Sequence, residues 1–110
     1  MMQTLGKIQP AVGVPLRATN NQPAPAARVA CHGVLIQALP TNVGRVYVGD
    51  AALNRAAFGG LYAILAAPSG SLIPTFSAAL TLAPNAINVA DLFLDVDNAG
   101  DGVIVSVLIT

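Results

Sequence analysis

Short runs in which every second residue is apolar dominate the hydrophobic pattern of this 110-residue chain. Residues 91–97 form one such run, and a second run lies behind a turn at residues 98–102. The apolar positions of the second run are Val103, Val105, Val107 and Ile109. Two alternating runs on either side of a glycine-containing loop are typical of a β-hairpin. The sequence therefore predicts that residues 92–97 pair with residues 103–109.

A second pair of strands is predicted in the first half of the chain. Residues 28–39 are apolar at most positions on both faces, which is typical of a central strand. A turn follows, and residues 45–49 then form a strand with Val46 and Val48 directed inward. These two runs predict a second hairpin.

Three shorter segments complete the strand pattern. Residues 14–19 predict an edge strand, because the proline within them cannot donate a ladder hydrogen bond. Residues 61–67 and 72–77 predict two further strands. The segment most compatible with a helix is residues 50–58, with Asp50 as its N-cap. It is short, so an irregular loop is the alternative.

About seven short strands with turns between them predict an all-β fold, either an antiparallel β-sandwich or a small jelly roll. Residues 1–13 show no convincing hydrophobic period and contain Gly6, Pro10 and Gly13. We therefore predict an extended N-terminal arm over residues 1–13, followed by a single β-sandwich domain over residues 14–110.

The composition indicates a surface that meets other protein. Hydrophobic residues make up 55% of the chain and charged residues 9%, whereas roughly 25% of an ordinary soluble domain is charged. Five basic and five acidic residues give a net charge of zero. Neutral chains with few charges tend to associate, so we expect a homo-oligomer.

The same features argue against other partners. The basic residues are spread singly, whereas nucleic-acid binding needs a clustered basic surface. No apolar run approaches the roughly 20 residues that cross a bilayer, and the N-terminus has no apolar segment of the signal-peptide type. The single cysteine excludes an intrachain disulfide, which suits a reducing cytoplasm.

Four aspartates near the C-terminus form the one cluster whose spacing suggests chemistry, and they are Asp91, Asp95, Asp97 and Asp101. Together with Asn98 and Gly100 the last three partly match a calcium loop, but the closing bidentate glutamate is missing. We therefore expect a metal-free turn, in which Asp95 and Asp97 face solvent while Asn98 and Asp101 supply turn hydrogen bonds.

No arrangement for nucleophilic catalysis is evident, so we expect that the chain is not an enzyme. Cys31 and His32 are neighbours on a predicted strand and therefore point to opposite faces. None of the serines considered lies in a nucleophile elbow, and these are Ser69, Ser71, Ser77 and Ser106. The aromatic residues are expected to pack in the core or at an interface, and they are Tyr47, Phe58, Tyr62, Phe76 and Phe93.

Three stretches of the chain, taken together, resemble the small β-sandwich virion proteins of tailed bacteriophages. The stretches are Val34-Leu-Ile-Gln-Ala38, Asn42-Val-Gly-Arg-Val-Tyr-Val-Gly49, and Ala90-Asp-Leu-Phe-Leu-Asp-Val-Asp97 followed by Gly100-Asp-Gly-Val103. The resemblance covers residues 28–110 and leaves the N-terminal 27 residues outside.

This resemblance implies a structural role on the virion, as a capsid decoration or cement protein that is made in the host cytoplasm. It implies contact with the major capsid protein and a homo-oligomer, for which the three-fold positions of icosahedral shells favour a trimer. It supplies no catalytic, cofactor-binding or metal-binding residues. The alternatives are a tail, connector or head-fibre-base subunit and, with less support, a calcium-assisted glycan-binding module. Residues 1–13 would then reach a neighbouring subunit or the shell.

Overall fold

The chain folds into two antiparallel sheets that pack face to face. The computed structural model describes residues 2–19, 30–31, 33–69, 72–79, 87–88 and 91–108. The strands are β1 (Met2–Ile8), β2 (Leu16–Arg17), β3 (Ala30–Cys31), β4 (Gly33–Ala38), β5 (Val46–Asn54), β6 (Gly59–Leu65), β7 (Thr75–Ala79), β8 (Ile87–Asn88), β9 (Phe93–Val96) and β10 (Val103–Leu108). These ranges contain no α-helix.

The strand order separates most neighbours in the sequence. One four-stranded sheet has the order β1-β10-β4-β7, the other has the order β2-β9-β5-β6, and β3 pairs with β8 on its own. All of the described pairings are antiparallel. The predicted fold class, an all-β antiparallel sandwich, is therefore confirmed.

The apolar core lies between the two four-stranded sheets. Val46 and Val48 on β5 are fully buried, as their alternation predicts, and they pack with Leu94 and Val96 of the neighbouring strand β9. The other sheet contributes Ile36, Val103, Val105 and Val107. The radius of gyration is 13.0 Å, close to the about 13 Å of a compact domain of 100 residues.

Two strand positions agree with the sequence prediction. The strand β4 lies between β10 and β7, so residues 33–38 of the apolar run form a central strand, whereas β3 pairs with β8 in a sheet of its own. The strand β2 lies at the edge of its sheet and follows Pro15, as the proline requires. Their neighbours in the sequence, however, are not their partners in the sheet.

Both predicted hairpins are wrong. The strands β9 and β10 lie in different sheets, since β9 pairs with β2 and β5 while β10 pairs with β1 and β4. The strands β4 and β5 are likewise split between the two sheets. The consecutive pair that does form a hairpin is β5 with β6.

The reason is that the two connecting loops bind each other. The backbone N–H of Leu39 donates to the carbonyl of Gly102 at 3.0 Å, and the side chain of Asn42 bonds both the carbonyl and the N–H of Gly102, at 2.8 and 2.9 Å. Each loop therefore satisfies polar groups of the other, which a tight turn within one sheet would not allow. Alternation predicts which side chains face the core, but it does not define the partner strand.

The arm prediction differs from the structure for residues 2–8. These residues form β1, which pairs with β10 from Met2 opposite Leu108 to Ile8 opposite Val103. Ile8 is buried in the core. A bulge between Thr4 and Gly6 interrupts the register, and it also interrupts the hydrophobic period that would have revealed a strand.

The helix suggested for residues 50–58 does not form. The strand β5 continues to Asn54, and a turn over residues 55–58 leads into β6. The side-chain oxygen of Asn54 accepts hydrogen bonds from the N–H groups of Ala56 and Ala57 at 3.0 and 3.1 Å. Such local side-chain bonds compete with the helix and favour a turn.

Candidate functional site

Charged side chains gather on the outer face of the second sheet. Asp95 and Asp97 lie on or just after β9, and Tyr47 lies opposite Asp95 on the adjacent strand β5. Arg45 precedes β5, and Arg55 lies in the turn between β5 and β6. Because positions two apart on a strand share a face, the two carboxylates lie side by side, where Arg55 pairs with both and Arg45 pairs with Asp97.

Asp97 is the centre of this cluster. Its carboxylate accepts hydrogen bonds from Arg45 Nε at 3.2 Å, from Arg55 Nη1 at 3.0 Å and from the Tyr47 hydroxyl at 3.2 Å. Burial acts to raise the pKa of Asp97, but the bonds from Arg45 and Tyr47 and the charges of both arginines outweigh it, so the pKa lies below its ordinary value. Asp97 is therefore an ionised anchor for both arginines.

Tyr47 is a buried donor to that anchor. Its side chain is fully buried, and burial, the hydrogen bond to Asp97 and the negative charge of Asp97 raise the pKa of its hydroxyl, against the opposing charges of the two arginines. The hydroxyl therefore keeps its proton and donates a hydrogen bond to the carboxylate.

The prediction that Asp95 faces solvent is wrong. Its side chain is 2% exposed, and its Oδ1 accepts hydrogen bonds from the backbone N–H of Gly13 at 2.9 Å and of Val96 at 2.7 Å. Its Oδ2 lies 3.8 Å from Arg55 Nε. Alternation places Asp95 outside the core, but the loop at Gly13 and the turn at Arg55 cover that outer face.

Asp101 does supply loop hydrogen bonds, but to a distant loop. Its carboxylate accepts the N–H groups of Val43 at 3.1 and 3.2 Å and of Gly44 at 2.8 Å, and its own N–H donates to the carbonyl of Asn98 at 3.2 Å. A side chain at the neighbouring Gly102 would collide with the carbonyl of Ile8, which explains the glycine. Asp101 thus joins the two loops that cross between the sheets.

The absence of a metal at residues 97–102 stays a prediction. Within the described ranges no group of three or more His, Cys, Asp or Glu side chains is placed to hold an ion. The carboxylates of Asp97 and Asp101 accept hydrogen bonds from protein groups instead. Their chemistry is that of ion pairing and loop anchoring.

The other candidate residues are dispersed. Cys31 lies on β3 opposite Ile87, while His32 and Ser71 lie outside the described residues. Ser77 and Ser106 face Leu35 from the two strands that flank β4, and Ser69 forms an isolated bridge with Leu72. Cys31, Ser77 and Ser106 therefore lie on three different strands, β3, β7 and β10.

The aromatic residues fall into different environments. Tyr47 is buried, whereas Phe58 and Tyr62 are 55% and 56% exposed. Phe93 is half-buried, with the guanidinium of Arg17 4.9 Å from its ring centre. Phe76 lies on β7 opposite Ile36. Phe58 and Tyr62 therefore do not pack in the core.

Two depressions lie beside the hairpin of β5 and β6. One has a volume of about 270 Å³ and includes Asp95, Arg55 and Leu53 in its lining. The other has a volume of about 430 Å³ and includes Arg17, Phe93 and Tyr62.

The sequence analysis did not identify Arg45, Tyr47 and Arg55 as members of the charged cluster. One signal was present, because a tyrosine between two core valines indicates that the opposite face of the strand is also packed.

Comparison with protein families, curated proteins and solved structures finds no match for this chain. The described residues contain no helix that is both long enough and apolar enough to span a membrane.

Proposed function

We propose that this chain is a structural subunit that binds other protein, as a decoration or cement protein of a phage capsid. The observation that carries the proposal is the character of its surface. Among the residues that the structure describes, seven large apolar side chains are exposed, and two of them, Val43 and Leu72, are each 75% exposed. Burial of such side chains against a partner is the main favourable term in protein association.

The charged cluster makes this surface still poorer in charge than the composition indicates. Arg45 and Arg55 pair with Asp97, and Arg55 also pairs with Asp95, so two positive and two negative charges offset one another. Asp101 is buried in its loop. Removing few ionic groups from water lowers the cost of covering the remaining surface with protein.

Some of the exposed apolar residues are neighbours. Tyr62 and Ile64 lie two positions apart on the edge strand β6, and Val12 and Val14 lie two positions apart in the loop before β2. Each pair offers adjoining contact area. Contact with several shell subunits at once would raise the overall affinity through multivalency. The gain is largest if the chain forms the trimer that the resemblance favours.

The mechanism of a cement protein is mass action. The subunit binds the assembled shell and not its dissociated parts, so its binding stabilises the shell. The stabilisation increases with the logarithm of the ratio between the free concentration of the subunit and its dissociation constant. No catalytic step is needed. The partner is the major capsid protein, and the place of action is the virion, after synthesis in the host cytoplasm.

The test is the number of copies per particle in gradient-purified virions of the phage that produces the chain. We expect hundreds of copies, because decoration repeats over the symmetry-related positions of a shell. Quantitative mass spectrometry against the major capsid protein gives the number. Copies at the level of a few dozen or fewer would favour a tail, connector or fibre-base subunit, and absence from the particles would contradict the proposal.

A pH measurement tests the charged cluster that shapes this surface. Because the pKa of Asp97 is lower in the folded chain than its ordinary value of 3.8, its contribution to stability is present above that value and is lost as the pH falls through the folded pKa. We expect the free energy of unfolding to decrease between about pH 5 and pH 2 more steeply for the natural chain than for Asp97→Asn. Urea unfolding across that range measures both slopes, and equal slopes would show that Asp97 is not the group responsible.

A further inference from the structure

The strand β6 forms an open edge of the second sheet. It pairs with β5 on one side, and no other described strand pairs with it. Alternate residues of an edge strand direct their backbone N–H and C=O groups away from the sheet, where a further strand can bind them. Within the described ranges, the backbone hydrogen bonds outside the sheet ladders include none from residues 59–67. This edge can therefore accept an added strand.

The three other edges of the two four-stranded sheets carry features that hinder such an addition. The strand β1 contains Lys7 and a bulge, β2 has two residues and follows Pro15, and β7 begins directly after Pro74. Charges, prolines, bulges and short length are the means by which natural proteins protect sheet edges. Residues 59–67 contain no charged residue and no proline, so β6 is the edge best suited to strand addition.

The regular part of β6 is centred on Ile64. The residues from Ala63 to Leu65 pair with β5 in unbroken register, and the register shift next to Gly49 lies outside this stretch. Ala63 and Leu65 pack against the core, whereas Tyr62 and Ile64 are 56% and 40% exposed on the outer face. Cross-strand neighbours on one face lie about 5 Å apart, so an added strand would cover part of both exposed side chains.

A second copy of β6 matches this edge. With a two-fold axis near Ile64, the two β6 strands run antiparallel and each Ile64 meets its counterpart. Tyr62 of one copy then lies opposite Ala66 of the other, which leaves room for the large ring. Apolar cross-strand pairs of this kind stabilise antiparallel strands. No charges oppose each other across the contact, because residues 59–67 carry none.

We propose that two copies of this chain associate through antiparallel pairing of their β6 strands about a two-fold axis, which joins two four-stranded sheets into one of eight strands. Each copy uses a single edge, so the contact closes at two copies. Strand pairing alone buries less than the roughly 1,200 Å² of a standard interface, and we therefore expect a dissociation constant in the micromolar range. The contact is independent of the capsid role and distinct from the trimer that the resemblance implies.

Sedimentation equilibrium of the purified chain between about 1 µM and about 1 mM tests the pairing. We expect the average mass to rise from that of one chain to that of two. Ile64→Lys should weaken the association at least about tenfold, because the two-fold axis places the two ammonium groups side by side. Val14→Lys is the matched control, since Val14 is 58% exposed in the loop before β2, which lies at the opposite edge of the same sheet. This control should associate like the natural chain.

A mixture of opposite charges locates the axis. Ile64→Glu alone should weaken the association as Ile64→Lys does. An equimolar mixture of the two variants should associate at least about tenfold more tightly than either variant alone, because unlike charges then meet at the axis. Ala66→Lys, at an exposed position just after β6, is a second variant that should weaken the association. Circular dichroism and urea unfolding establish that each variant is folded.

Every other result of these measurements contradicts the proposal. A natural chain that stays monomeric at about 1 mM would overturn it, and so would folded Ile64→Lys or Ala66→Lys variants that associate as tightly as the natural chain. The mass of a trimer, or a charge mixture that associates no better than its parts, would exclude pairing about a two-fold axis. The copy number in virions is measured separately, so this proposal and the capsid proposal can fail independently.

Discussion

Replacement of Asp101 by alanine is expected to lower the free energy of unfolding by about 3 kcal/mol. The carboxylate accepts the N–H groups of Val43 and Gly44, and hydrogen bonds to a charged group contribute about 1.5–3 kcal/mol each, although two bonds to one group do not add fully. The loss is large because these bonds join the loop before β5 to the loop before β10. Urea unfolding should give a lower midpoint with an unchanged slope.

Asp50→Ala is the matched control for this prediction. The carboxylate of Asp50 also accepts a backbone N–H, that of Ala52 at 2.8 Å, but the bond is exposed and local. We expect a loss of at most about 1 kcal/mol, since water replaces an exposed bond at little cost. Asp101→Asn should fall between the two, because one acceptor oxygen remains. A loss for Asp101→Ala no greater than that of the control would show that the loops do not depend on this carboxylate.

What could be predicted from the sequence is the local part of the fold. The inward position of Val46 and Val48 follows from the two-residue period of a strand, which acts over neighbouring residues only. The edge position of β2 follows from the chemistry of one proline. Both properties belong to a few consecutive residues, and both are correct.

The pairing of strands could not be predicted in the same way. The turn before β10 contains the residues of a hairpin, but Asn42 bonds Gly102 and Asp101 bonds Val43, over 60 and 58 positions of the sequence. These bonds hold β9 and β10 in different sheets. Contacts of this separation leave no periodic signal. For β1 the signal was present but interrupted, because the bulge between Thr4 and Gly6 shifts the alternation by one residue.

The charged cluster shows a similar division. Alternation correctly places Asp95 and Asp97 on the face opposite Leu94 and Val96, yet burial of that outer face depends on the turn that carries Arg55. In a chain with only five basic residues, two carboxylates on one strand face were a reason to look for arginine partners. The identity of the partner arginines depends on the hairpin of β5 and β6. The strand β5 extends over residues for which the sequence predicts a helix or a loop.

Replacement of Arg55 by methionine is expected to lower the free energy of unfolding by about 2–3 kcal/mol. Removing one partner of a buried ion pair costs about 3–5 kcal/mol, because the other charge stays buried without compensation. The Arg55 side chain is 31% exposed, so its loss should cost less than that range, whereas the Asp95 side chain is only 2% exposed. Methionine keeps the apolar length of the side chain and removes the guanidinium.

A double-mutant cycle with Asp95→Asn separates the ion pair from the packing. If Arg55 stabilises the chain mainly by compensating buried Asp95, the double variant Asp95→Asn, Arg55→Met should lose less stability than the sum of the single losses, by about 1 kcal/mol. Arg17→Met is the control, because Arg17 lies over Phe93 outside the cluster and should cost at most about 1 kcal/mol. Additive losses for Arg55 and Asp95, within about 0.5 kcal/mol, would mean that the 3.8 Å pair contributes no coupling and that Arg55 acts through Asp97 alone.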